Sequence, residues 1–255
     1  MLEGKQINLS SLPSHGSHYP QDIEIYVKPM TAGEEMSSNL EKFGMTTANY
    51  YERLLNNILI KGGFNKNKLL FGDIQFIDLV RRLFSFELEE QISINDVTCS
   101  CCGKPLKVSF MFANNGQCDN WVQFEDYKEE IFGEEVEFSD GTKVKISPVT
   151  IGDIIKIQRK YLSNIKEEDD MIEFLFALKS ANITEAENKQ FDSMESMQKY
   201  FIGYFRDLYK YKDLKLLEKI DEDTSVVVKP FKVACDKCSE FTEVALEPQL
   251  SFHQE

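Results

Sequence analysis

The residues with the most chemical potential in this chain are its cysteines, and four of the six fall into two C-x-x-C pairs. One pair is Cys99 and Cys102 in "CSCC", and the other is Cys235 and Cys238 in "CDKC", more than half the chain away. Two thiols at this spacing on the tip of a β-hairpin point to one side and supply half of a tetrahedron. Structural zinc takes four such ligands and leaves no open position. Gly103, in the run Cys-Gly-Lys-Pro, permits the tight turn that such a knuckle needs. The spacing therefore predicts one Zn²⁺ held by Cys99, Cys102, Cys235 and Cys238. Two other readings compete: metal-free cysteines filling core positions, and a catalytic dithiol. A dithiol wants its C-x-x-C at a helix N-terminus, whereas both pairs here lie between strand-like runs. These are Gln91–Thr98 and Pro105–Phe112 around the first pair, and Thr224–Ala234 and FTEVALEPQLSF around the second. Cys101 lies inside the first pair and points away if its neighbours bind. Cys118, in NNGQCDNW, reads as a lone thiol near Trp121. Neither is counted as a ligand.

The remaining chemistry is thin. Of three histidines, His15 and His18 lie in a Ser/Pro/His/Gly-rich stretch, and His253 is close to the C-terminal end. No G-x-S-x-G, Walker loop, H-E-x-x-H or G-x-G-x-x-G occurs, so no enzyme is expected and no catalytic residue is nominated. The acidic runs Glu87–Glu90 and Lys166–Asp170 read as solvated helix ends and loops. The net charge of −14 would repel a phosphate backbone and an anionic membrane surface. No segment approaches the roughly 20 apolar residues of a membrane span. The first residues lack the apolar stretch of a secretory signal, and six cysteines without an export signal point to a reducing compartment.

The elements that must position the cysteines read as two passes of one plan. Ile23–Val27 alternates as a strand and runs into Lys28-Pro29-Met30-Thr31-Ala32-Gly33-Glu34, where Thr31 and Glu34 form a capping box. Tyr51, Leu54, Leu55, Ile58 and Leu59 repeat at helical spacing, and so do Phe76, Leu79, Val80, Leu83 and Phe84. The second pass begins at a hairpin turning on Asp140-Gly141. Lys143–Ser147 then runs into Pro148, Thr150, Gly152 and Asp153. Helical stripes follow at Met171, Phe174, Leu175 and Leu178, and at Phe201, Tyr204, Phe205 and Leu208. Each pass ends in strand, C-x-x-C, strand. This predicts an internal duplication and an α+β fold of two related units, each a small antiparallel sheet with a zinc hairpin and a helical insertion. The expected divisions are an N-terminal arm at 1–22, a first unit at 23–118, a connector hairpin at 119–142 and a second unit at 143–255.

The run IEIYVKPMTAGEEM, followed by FGDIQFIDLVRRLFSFELEEQISINDVTCSCCGKPLKVSFMF, resembles the baseplate protein family of contractile-tailed phages of the T-even type. The matching positions are Pro29, Met30, Thr31, Glu34, Glu35, then Asp73 to Arg82, then Cys99 and Cys102, and the likeness covers about residues 23–250. The resemblance implies a structural, non-enzymatic role in the tail baseplate around the hub, as a hub subunit or an assembly factor made in the host cytoplasm. Its implied partners are other hub, wedge or tail-tube proteins. The alternative from the residues alone is a zinc-ribbon nucleic-acid-binding or regulatory protein, which would need a basic face.

Overall fold

The computed structural model describes residues 4–31, 33–34, 48–85, 92–110, 132–162, 165–187, 189, 191, 193–206, 210–223 and 229–244. Expectations for Glu87–Glu90, Cys118, Trp121, Leu208 and His253 fall outside them. The fold is α+β, with small antiparallel sheets and helices packed on them.

The first sheet has the order β1 (Lys5–Ile7), β2 (Glu24–Val27), β3 (Ile58–Lys61), all antiparallel. Strand alternation explains β2: Ile25 and Val27 are fully buried while Glu24 and Tyr26 face outward. Two helices cover this sheet, α1 (Ala48–Asn56) and α2 (Phe71–Ser85). Ile58 and Leu59, expected on a helical stripe, belong to β3 instead. Asn57 ends the helix: its N–H bonds Leu54 O at 2.9 Å, and the next residues pair with β2, Ile58 opposite Val27 and Leu59 opposite Tyr26. The apolar spacing was compatible with both states, and pairing to the central strand decided it.

Over its described residues, the expected N-terminal arm packs against this sheet and its helices. It contains β1, and Leu12, Ser14 and Tyr19 are buried. The reason is Asp73 in the first turn of α2. Its carboxylate accepts Ser14 N–H at 3.0 Å, Ser14 O–H at 2.6 Å and Tyr19 O–H at 2.5 Å. Burial raises the Asp73 carboxyl above its ordinary value, and the hydrogen bonds from Ser14 and Tyr19 oppose that rise.

The second sheet has the order β6 (Glu135–Glu137), β7 (Lys143–Ile146), β8 (Ile183–Ala186). The hairpin turning on Asp140-Gly141 joins β6 to β7, the sheet's central strand. Its turn closes with Gly141 N–H on Phe138 O at 2.9 Å, with Gly141 at φ +80°. The helices here are α3 (Ile151–Tyr161), α4 (Glu168–Lys179), α5 (Met194–Phe205) and α6 (Tyr211–Asp223). The run Glu167–Asp170 forms the capping box of α4.

The duplication is visible in hydrogen bonds as well as in element order. Thr31 and Thr150 cap equivalent helix starts, with Glu34 and Asp153 answering them. Asp213, in the first turn of α6, accepts Ser139 N–H at 2.8 Å, Ser139 O–H at 2.7 Å and Tyr204 O–H at 2.7 Å. That is the Asp73 arrangement repeated, with a serine from the loop before the central strand in both units. The tyrosine differs in origin. Tyr204 lies on α5, which sits between β8 and α6 and has no counterpart between β3 and α2.

The two units share a core. Ile151, Ile154 and Ile155 of α3 pack with Leu69, Leu70, Ile74 and Ile77 of the first unit. Backbone bonds cross the seam, from Phe71 N–H to Val149 O and from Ile151 N–H to Leu69 O, both 2.9 Å. Gly152 permits the approach, because a Cβ there would lie 2.8 Å from Asn67 O.

Candidate metal centre

Each cysteine pair sits on a two-stranded antiparallel hairpin. β4 (Ile92–Thr98) pairs with β5 (Pro105–Phe110), and β9 (Phe231–Ala234) pairs with β10 (Phe241–Val244). The two tips have one backbone geometry. Cys99 N–H bonds Lys104 O at 2.8 Å and Gly103 N–H bonds Cys99 O at 2.9 Å. Cys235 N–H bonds Glu240 O at 2.9 Å and Ser239 N–H bonds Cys235 O at 2.8 Å. The residue after each second cysteine is left-handed, Gly103 at φ +68° and Ser239 at φ +61°. Glycine takes that conformation freely; serine does so at a cost.

The tips face each other and bring all four sequence-predicted ligands together. Cys99 Sγ lies 3.6 Å from Cys238 Sγ, and Cys102 Sγ lies 3.7 Å from Cys235 Sγ. All four sulfurs fall within 4.8 Å of one another. A tetrahedral ion with Zn–S bonds of ~2.3 Å has sulfur–sulfur edges of ~3.8 Å, so the cross-pairs are close to the edges such an ion requires. Each first cysteine is buried and each second one half-buried. Around them Leu106, Val108 and Val244 complete a small core, joined by Val97, Phe231 and Val233. Lys104 bridges to Asp236 on the opposite tip at 2.7 Å, and Ser100 N–H reaches Thr242 Oγ1 at 3.2 Å.

The electrostatics fit thiolates that bind a cation. The backbone N–H groups of Cys102 and Cys101 are directed at Cys99 and hold its thiol down to about 6. Those of Lys237 and Cys238 lower Cys235 in the same way. Cys102 receives the N–H of Lys104, and Cys238 that of Glu240. For both, burial and the neighbouring thiols outweigh that donor; both are raised, Cys238 to about 12. Four sulfurs in contact cannot all carry charge unless a cation compensates them. Cys101 is exposed, outside the set of four.

The sequence profile described as "T4 bacteriophage base plate protein" matches residues 5–253, nearly the whole chain. The chain belongs to that family. No curated protein and no solved structure matches it.

In this baseplate protein the sequence-nominated cysteines form one cluster, while other structural residues escaped the sequence reading. Asp73 and Asp213 were detectable: Phe71-Gly72-Asp73-Ile74 and Tyr211-Lys212-Asp213-Leu214 share an aromatic-x-Asp-aliphatic signature. Arg81 gave no such signal. Its side chain is 3% exposed and bonds both Glu34 carboxylate oxygens at 3.0 Å and Lys28 O at 2.8 Å. It thereby clamps the chain leaving β2 against α2.

Proposed function

We propose that this baseplate protein is a non-enzymatic structural component, acting around the hub, whose cysteine centre holds one structural Zn²⁺ through Cys99, Cys102, Cys235 and Cys238. The observation that carries the metal reading is the reciprocal meeting of the two knuckles, sulfur to sulfur at 3.6 and 3.7 Å, with backbone N–H groups directed at the sulfurs. Zinc bound there would fill its four positions with thiolates and leave none for a substrate, which supports a structural rather than a catalytic metal.

The proposed work of the zinc is to join one hairpin from each half into a single ribbon module. A two-stranded hairpin alone is marginal in water, so the module depends on the metal that ties its two ribbons. Docking to hub, wedge or tail-tube proteins is the proposed use of the assembled surface. The charge of −14 keeps the free protein soluble and favours basic patches on those partners. It also disfavours the alternative reading as a nucleic-acid binder.

Quantitative mass spectrometry of purified tails and of assembly intermediates tests the placement. Fixed copies per particle, in finished tails for a hub subunit or only in intermediates for an assembly factor, support the reading. Absence from both overturns it.

A further inference from the structure

The cysteine centre has the contact pattern of a two-fold interface. The first cysteine of one hairpin meets the second of the other, and the reverse pairing is also made, Cys99 with Cys238 and Cys235 with Cys102. The knuckles carry matching backbone hydrogen bonds and matching left-handed residues. In such an isologous contact both sides offer the same kind of surface, and the fit is set by the rotation relating them.

Among the described residues the ribbon core is also its own. Cys99, Leu106, Val108, Cys235 and Val244 form a cluster with no member in common with the clusters of the two sheet units. The seam between those units is made elsewhere, by Leu69–Phe71 against Val149–Ile151 and by the isoleucines of α3. Among the described residues, neither the ribbon packing nor the body therefore requires the two hairpins to belong to one chain.

We infer that the four-thiol centre is exchangeable: the Cys99–Cys102 hairpin of one copy closes on the Cys235–Cys238 hairpin of a second copy, giving a metal-bridged pair. This rests on the metal reading above and adds a partner to that site. Within one chain the opposite hairpin is held at an effective concentration on the order of millimolar, so the dilute protein closes on itself. Where copies are crowded to a comparable level, exchange costs little, because every contact of the closed monomer is remade between chains.

The test uses two full-length variants, Cys99→Ser/Cys102→Ser and Cys235→Ser/Cys238→Ser. Each retains one knuckle and cannot complete a four-thiol site by itself. Cobalt is the probe, because its absorption spectrum distinguishes four-thiolate ligation from fewer thiolates. The expected result is a four-thiolate spectrum and a two-chain mass that are far stronger in the equimolar mixture than in either variant alone, because only unlike knuckles restore Lys104 with Asp236 and Ser100 with Thr242; signals as strong in a separate variant overturn the exchange. A second arm strips wild-type protein of metal and reloads it with zinc at about millimolar and at about micromolar concentration. A zinc-dependent dimer is expected at the higher concentration only. Monomers in both arms, with the four-thiolate spectrum intact in wild type, overturn the exchange and leave the metal reading standing. A wild-type protein without that spectrum overturns the metal reading and the exchange together.

Discussion

Replacing Cys235 and Cys238 with serine should unfold the ribbon module and leave the two sheet units folded. Among its described side chains the module has three buried aliphatic ones, Leu106, Val108 and Val244. Each stabilises by roughly 1.5–3 kcal/mol when fully buried, too little to order two separate hairpins. A structural zinc contributes about 10–16 kcal/mol at neutral pH, so the metal outweighs the apolar contacts. The sheet units have their own buried clusters and a shared seam. Hydrogen exchange read by mass spectrometry separates the outcomes. Removing even about 4 kcal/mol of local stability lowers amide protection about a thousandfold. Peptides spanning 97–108 and 231–244 should lose at least that much, while those from α2, α3 and α5 change little. Retained protection in the hairpins, or its loss throughout the chain, would refute the reasoning.

Four further outcomes are expected. Asp73→Ala removes the buried acceptor shared by Ser14 and Tyr19 and should cost about 3 kcal/mol; Asp213→Ala removes the matching acceptor of Ser139 and Tyr204 and should cost a similar amount, and urea unfolding measures both. Glu34 is offset upward by burial but held below its ordinary 4.5 by the Thr31 N–H and by Arg81. Its contribution is therefore fully present above 4.5 and lost as pH falls through the lower folded value, so Glu34→Gln should cost about 2 kcal/mol at neutral pH and progressively less in acid. Ser239→Gly should tighten zinc binding a few-fold by relieving a left-handed serine at φ +61°, and Gly103→Ala should weaken it about as much without any clash, as read by chelator competition. Gly152→Ala forces a Cβ to 2.8 Å from Asn67 O at the seam and should lower stability by about 1–3 kcal/mol in thermal unfolding.

The cysteine centre was legible in the sequence because each half of it is local. C-x-x-C between strand-like runs fixes where the two thiols of a pair point, and only the meeting of the two tips had to be inferred. The helix starts at Thr31 and Thr150 were legible for the same reason, since a cap is written within three residues. What depended on distant partners was not. Residues 10–22 have loop composition, and nothing local announces that Ser14 and Tyr19 are bound by a carboxylate more than fifty positions away. Ile58 and Leu59 continued a helical spacing and were claimed by the edge of a sheet. Each half was expected to end in its own hairpin; that the apolar residues of the two hairpins meet in one cluster depends on partners far apart in sequence.

The most direct test of the central claim is the metal content and ligation of protein purified without chelator. Elemental analysis combined with X-ray absorption at the zinc edge should find about one zinc per chain, with four sulfur neighbours at ~2.3 Å. No bound metal, nitrogen or oxygen in the coordination shell, or a disulfide within either C-x-x-C pair would contradict the account.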